Sequence, residues 1–575
     1  MKDLAKVKRT VNINKNVLIR SLNVKEKSLI SFFVMLILAS IAAIGINFYF
    51  SHTEVVPARG GSHIEAMLGI PRFVNSALSQ ISDTDRDISH LIYSGLMKYD
   101  KDGKIVEDLA ESYVIEENRI YKFKLRSDAL WHDGQKLTAD DVIFTIKLIQ
   151  DPKYASPIRQ NWQGVEVEKQ DENTIVFKLI SPYSPFLENA TVGILPKHIW
   201  ENSSPNSFPH ADANLQPIGS GPYKFEKFQK DSSGNIKSYT LKINDKYYGS
   251  TPNIEGITFK FFDSEDEALQ ALRNGDVSAM SFVSGFNNVN VEKLKNVTVR
   301  NFSLPRYFAV FFNQAKSKPL SEKAVREALS YATNKEEIIH EAAGGKGSPA
   351  FGPIVKELLG YNPQIEQKYE FSVEKAEKSL DSAGWIDSDG DGVREKKIKN
   401  ETEPTKLEVK LITVQWPELE KVLRVLENQW EKVGVSVNIE AYSLGEIQQE
   451  FIRPREYEAI VFGQVVGIDP DPFSFWHSSQ KKDPGLNISL YENKTVDKLL
   501  EEARQTLDSN SRVEKYVLLQ DYVSQDIPAI FLYSPSYLYP INRNIKGIKE
   551  GKIADPSWRF ADVERWYMTT KRVWK

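Results

Sequence analysis

At 575 residues the chain is longer than one hydrophobic core serves, since cores stop growing near roughly 250–300 residues, so two or three domains are expected. Its 41% hydrophobic and 26% charged residues are those of a folded globular chain, and a net charge of -4 from 74 basic and 78 acidic residues excludes a general nucleic-acid binder. The absence of cysteine excludes disulfide scaffolds, thiolate zinc sites, cysteine nucleophiles and a lipid-modified cysteine anchor.

The chain opens with a basic segment, 1–28, in which Lys2, Lys6, Lys8, Arg9, Lys15, Arg20, Lys25 and Lys27 stand against Asp3 and Glu26. Residues 29–50 then form an uncharged apolar run, long enough at about 1.5 Å per residue to cross a hydrocarbon core of about 30 Å. The charge asymmetry predicts a cytoplasmic N-terminus and an exported remainder. A cleaved signal peptide is the rival reading, but its apolar region would be only about 7–15 residues long, which favours an uncleaved transmembrane anchor. Residues 51–62 carry turn residues and no period, and read as a spacer.

In the exported part, "IYKFKL" (120–125) and "NTIVFKLI" (173–180) alternate as antiparallel strands do. Between them "LTADDVIFTIKLIQ" reads as a helix capped by Thr138, with Asp140 and Asp141 in its first turn. Together they predict a small α/β lobe. A helix is expected from an N-cap at Ser321, with the stripe Ala324, Val325, Ala328, Leu329 and Ala332. Farther on, "KLEVKLITV", a helix begun by Pro417 and "VSVNIEAY" form a βαβ unit, and "YEAIVFG" (457–463) is a further strand. Ligands of open parallel sheets bind beyond the carboxyl ends of such strands, where "VVGIDPDPFSFWHSSQ" (465–480) lies. Its prolines fix φ and present Asp469 and Asp471 in defined directions, and Phe473, Phe475 and Trp476 offer apolar walls for an ammonium or amide-rich ligand. The competing reading is a turn with capping aspartates and a hydrophobic plug.

Catalytic motifs are weak. "PIGSGPY" (217–223) is not G-x-S-x-G, so Ser220 reads as part of a glycine turn, not a nucleophile. The eight histidines form no H-E-x-x-H, and His132, His340 and His477 read as ordinary hydrogen-bonded residues. "AAGGKGSP" (342–349) lacks the phosphate-loop spacing. "DSDGDGVREK" (387–396) puts Asp387, Asp389 and Asp391 at the first, third and fifth positions of a calcium loop, but its twelfth position is Ile398, leaving Glu395 as a displaced fourth ligand. It reads either as a structural calcium site or as a hydrated Asx and Gly turn.

Several segments together resemble the extracytoplasmic solute-binding proteins of family 5, the peptide- and nickel-binding components of ABC transporters. They are "LIYSGLMKYDKDGKIVEDLAESY" (91–113), the W-H-D-G and T-A-D-D-V block of 121–145, "PIGSGPY", "FFNQAKSKPLSEKAVREALSYATNKEEII" (311–339) and "DPDPFSFW", all collinear. The resemblance implies an α/β, bilobed, hinged fold of the type II periplasmic-binding-protein kind with an extra α/β subdomain. It places lobe I at 63–88, 215–303 and 527–575, the subdomain at 89–214 and lobe II at 304–526. It implies a non-catalytic, monomeric receptor that takes no cofactor and hands a peptide-like solute to an ABC permease and its ATPase. A sensor or peptide chaperone without an importer, or an anchored hydrolase, are the alternatives. By the same resemblance Tyr93, Ser220, Tyr307, Asn313 and Gln464 border the cleft beside Asp469, Asp471, Phe473 and Trp476. Peptide binders of the family hold the ligand's amino group with an aspartate three residues before the D-P-D, in a W-x-x-D context; without gaps those two positions are Gly463 and Val466 here. Asp469 or Asp471 would then replace that contact, or the ligand differs.

Overall fold

The computed structural model describes residues 23–100, 102–398 and 403–575; most of the basic N-terminal segment lies outside the described residues. The chain divides into a unit formed by its two terminal segments and a body, Gly60–Met568.

In the terminal unit the apolar run is one helix, Val24–His52, opened by a capping box between Asn23 and Glu26. Its apolar window is long enough to cross a membrane. The segment expected to be an unstructured spacer is instead largely a strand. Thr53–Ala58 pairs antiparallel with Thr569–Trp574, from Thr53 opposite Trp574 to Ala58 opposite Thr569. Arg572 ties the ribbon to the helix end, donating to Thr53 Oγ1 at 2.8 Å with its guanidinium 4.2 Å from the Phe50 ring.

The body has two large cores. One sheet runs Tyr223–Lys230, Ile236–Ile243, Gly256–Phe262, Ser62–Leu68 and Ala279–Met280, with Ser62–Leu68 parallel to both of its neighbours. The second runs Ser436–Tyr442, Glu408–Val414, Ala459–Val465 and Arg306–Phe312. The expected βαβ unit is present: Glu408–Val414 and Ser436–Tyr442 are parallel, joined by the helix Pro417–Glu431, which buries Leu419, Val422, Leu423, Leu426 and Trp430. Ala459–Val465 adds parallel to Glu408–Val414 and antiparallel to Arg306–Phe312.

One strand, Ala529–Asn542, belongs to both sheets. Its first half pairs with Arg306–Phe312 and its second half with Val297–Ser303. The chain therefore crosses between the lobes twice, through Leu304–Pro305 and through Ser534–Pro535–Ser536. Each crossing contains a proline, which fixes φ and removes a donor where pairing changes partner. Segment 527–575, expected whole in the first lobe, is thus divided: its start lies in the second lobe's sheet and its last residues in the terminal ribbon.

The subdomain is a four-stranded antiparallel sheet, Ala110–Glu116, Ile120–Leu125, Thr174–Leu179 and Val165–Asp171, in that order. The helix Ala139–Gln150 carries the expected capping box, the Thr138 amide donating to Asp141 at 2.9 Å. Its apolar residues join the first lobe's core, whereas the second lobe keeps a core of its own. The helix expected from Ser321 is interrupted. Lys323–Ala332 starts after Glu322, and Lys335–Ala343 is capped separately by Asn334. The β-branched Thr333 and the Asn beside it favour that break, since Asn competes for its own backbone and serves better as a cap.

Candidate functional site

Past the carboxyl end of Ala459–Val465 the chain turns at Gly467, whose φ of 87° is a left-handed conformation suited to glycine, and enters the D-P-D segment. Both aspartates face arginines from two later helices, Lys494–Gln505 and Ser509–Asp526. Asp471 takes a two-pronged bond from Arg504, Nε to Oδ1 at 2.8 Å and Nη2 to Oδ2 at 2.6 Å, and accepts from the Tyr183 hydroxyl at 3.2 Å. Asp469 pairs with the buried Arg512 at 2.8 Å, and Arg512 also donates to Ser184 Oγ at 2.8 Å. Burial raises the Asp469 carboxyl despite that guanidinium. The aspartates expected to hold a ligand are therefore occupied: they join the second lobe to residues 183–188 of the subdomain.

The aromatic residues divide. Phe473 stacks under Arg504, 4.1 Å from ring centroid to guanidinium carbon, and together with Tyr183 they line a cavity of about 520 Å³ between the subdomain and the second lobe. Trp476 is no ligand wall. It is buried in the second lobe, its indole NH donates to the Tyr307 hydroxyl at 3.3 Å, and Tyr307 in turn donates to Gln464. Asn313 is also interior, donating to the Arg455 carbonyl at 2.9 Å. Ser220 is fully buried, with its flanking glycines packed on the Ile92 carbonyl, so it meets no substrate. These five expectations, Trp476, Tyr307, Gln464, Asn313 and Ser220, are corrected for one reason: the motifs that carry them set the packing of strand ends, not the lining of a cavity.

The cavity on the other side of the D-P-D bridge has about 430 Å³ and receives residues from all three parts of the body. The first lobe contributes Arg86, His90, Asp555 and Trp558, the subdomain Tyr99, Glu188 and Asn189, and the second lobe Val465, Gly467 and Ile468. Of the expected cleft residues only Tyr93 lines it. Val466 is buried, with its neighbours on the surface of the cavity.

Glu188 is the carboxylate that sequence reasoning missed. Its Oε1 accepts from the Tyr99 hydroxyl at 2.7 Å and the Asp469 amide at 2.8 Å, while Oε2 lies beside Gly467. Burial, helped by the nearby charges of Asp469 and Asp471, pushes its carboxyl up to about 7. A cationic group entering here meets an acid ready to ionise. Opposite in sign, Arg86 lines the same cavity with its Nε 3.5 Å from Asp555. Trp558 is set edge-on between His90 and Tyr99, at 4.4 and 4.8 Å between ring centroids. Burial lowers His90 to about 3, so it is a neutral aromatic wall. Next to Trp558, the fully buried Arg559 donates to Glu65 and Asp87, both at 2.5 Å, and fixes the segment that carries the tryptophan. The cleft thus brings an acid, a guanidinium and aromatic faces together on its walls.

In the acidic loop of the second lobe, carboxylate oxygens of Asp387, Asp389 and Glu395 lie within 4.8 Å of one another. Asp391, expected at the fifth position of the loop as a ligand beside them, is turned to Lys406.

Two α/β lobes joined by two crossings, with a walled cleft between them, define a hinged binding protein. The family model for the bacterial extracellular solute-binding proteins, family 5 (middle region), matches residues 104–485, more than half of the chain, and the chain belongs to that family. Proteins of this family bind solutes for ABC transporters and are not enzymes, and the same holds for this chain. The oligopeptide-binding protein AppA of Bacillus subtilis is 29% identical over 89% of this chain and 92% of its own length. The dipeptide-binding protein of Escherichia coli is 28% identical over 83% and 90%. Among solved structures, AppA with a bound nonapeptide superposes with a TM-score of 0.70 at 28% identity, covering 89% of this chain and all of that one. NikZ of Campylobacter jejuni with Ni(L-His) gives 0.71 at 27%, covering 88% and 99%.

Proposed function

We propose that this chain is a membrane-anchored receptor that closes its two lobes over a peptide and delivers it to an ABC permease. The observation that carries the reading is the 430 Å³ cleft, lined by all three parts of the body and bearing Glu188 and Arg86. Glu188 takes the place of the aspartate that is absent at Val466: it receives the ammonium of a free peptide N-terminus, and Arg86 receives a carboxylate or carbonyl. The relatives that bind oligopeptides and dipeptides support the solute class. The helix Val24–His52 supports the anchor, which holds the receptor near its permease and raises its effective concentration in place of a lipid tail.

The test is to purify the full chain in detergent, release bound material by denaturation and identify it by mass spectrometry, then measure melting with synthetic peptides. Peptides recovered from the protein, and a melting shift equivalent to about 2.7 kcal/mol at a hundredfold excess over Kd, are expected. A protein that yields no peptide and whose melting no peptide library alters is not a peptide receptor.

A further inference from the structure

The loop 387–395 lies on the second lobe, where the helix Val373–Ser382 gives way to the small hairpin of Glu395–Lys396 and Thr405–Lys406. Its base is rigid. Ile386 and Glu395 exchange both backbone hydrogen bonds at 3.1 Å, Trp385 is fully buried, and Arg394 donates to the carbonyls of Trp385 at 2.8 Å and Val433 at 2.9 Å. Inside the loop, Asp387 accepts from the amides of Gly390 and Gly392, and both glycines have φ near 80–90° (79° and 89°). The three converging carboxylates therefore sit on a fixed frame.

The second observation is at Glu395. This side chain is more than nine-tenths buried, at 8% exposure, and its Oε1 accepts from the Ser388 amide at 2.9 Å. Its Oε2 is shut off from solvent and has no hydrogen-bond partner among the described residues. A carboxylate oxygen buried without a donor is costly. A cation among Asp387, Asp389 and Glu395 removes the conflict. All donors are hard oxygens, and the spacing places the Val393 carbonyl at the seventh position of a calcium loop, which disfavours zinc or copper and suits calcium.

We propose that residues 387–395 bind one calcium ion, with Glu395 at the ninth position serving in place of the usual twelfth-position glutamate and Asp391 reserved for Lys406. The ion clamps the loop to the second lobe and takes no part in solute capture. The experiment is a calcium titration of the chelator-stripped full chain in detergent, by calorimetry and by thermal melting, for the wild type, Asp389→Asn and Glu395→Gln. One Ca²⁺ per chain, a rise in melting temperature, at least tenfold weaker binding in each variant and little response to equal Mg²⁺ are expected. Absence of binding up to about ten millimolar, above the roughly 10⁻⁴–10⁻³ M affinities of extracellular calcium modules, would overturn the proposal. Equal binding of Mg²⁺, or wild-type binding by Asp389→Asn, would do the same. Should Glu395→Gln fail to fold, the exposed Asp389 decides the question alone.

Discussion

At the scale of single residues the carboxylate with the clearest work to do is Glu188. In the folded chain burial raises its carboxyl from 4.5 to about 7, so between those values the folded state holds a proton that the unfolded chain has released. Its contribution to stability is therefore present below pH 4.5 and is lost as pH rises through about 7. Ligand binding runs the other way, because an ammonium ion prefers the ionised acid. Affinity for a peptide with a free N-terminus should rise from about pH 6 to about 7.5, with a proton released on binding at the acid end, and level off as the peptide's own amino group deprotonates near 8. In Glu188→Gln the pH dependence should flatten and affinity at pH 8 should drop by roughly ten- to a hundredfold, the value of a charge-assisted hydrogen bond of about 1.5–3 kcal/mol. Calorimetry with an unmodified and an N-acetylated peptide checks it, and equal losses for both would remove the ammonium contact. Nothing in the sequence singles out this residue: "SPFLENA" has no period and no motif, and Glu188 reaches the cleft only because the Phe186–Asn189 turn packs against the D-P-D segment.

Among elements, the D-P-D segment acts as a bridge between the subdomain and the helices Lys494–Gln505 and Ser509–Asp526. Its position beyond a parallel strand is legible from the order of strands and helix, and so is the βαβ unit before it, because strand alternation and a 3.6-residue stripe are local patterns. The partners are not legible, since Arg504 and Arg512 lie a further 33 and 43 residues on and nothing local couples them to Asp471 and Asp469. The partnership changes what mutation does. Asp469→Asn leaves the guanidinium of Arg512, only 6% exposed, without its counter-charge, and should lower stability by about 1–3 kcal/mol in denaturant unfolding. Ligand affinity should change far less than in Glu188→Gln. A variant that unfolds like the wild type yet loses the ligand would return Asp469 to the binding site. The long strand Ala529–Asn542 was hidden for a related reason: Pro535 and Pro540 argue against a central strand, and here one of them marks the place where the strand leaves one sheet for the other.

For the whole molecule, two lobes with separate cores joined by two short crossings predict a hinge whose closed form the solute favours. The chain contains no cysteine, so a cysteine placed on each lobe labels uniquely. Dyes on Leu444→Cys and Lys227→Cys, both exposed, should show a change in energy transfer when peptide is added, with the half-point of the titration moved to higher peptide concentration in Glu188→Gln. Transfer that stays constant at saturation would mean that the lobes do not close.

The terminal ribbon has one more consequence. Ala58 stands opposite Thr569 in its ladder, and within the body Gly61 packs against Met568. The 60–568 body therefore begins and ends at one point, as an insert does within a host loop. A short Gly and Ser linker from Met568 to Gly60 should therefore allow circular permutants of the body that fold, with new ends cut at an exposed turn such as that around Gly234.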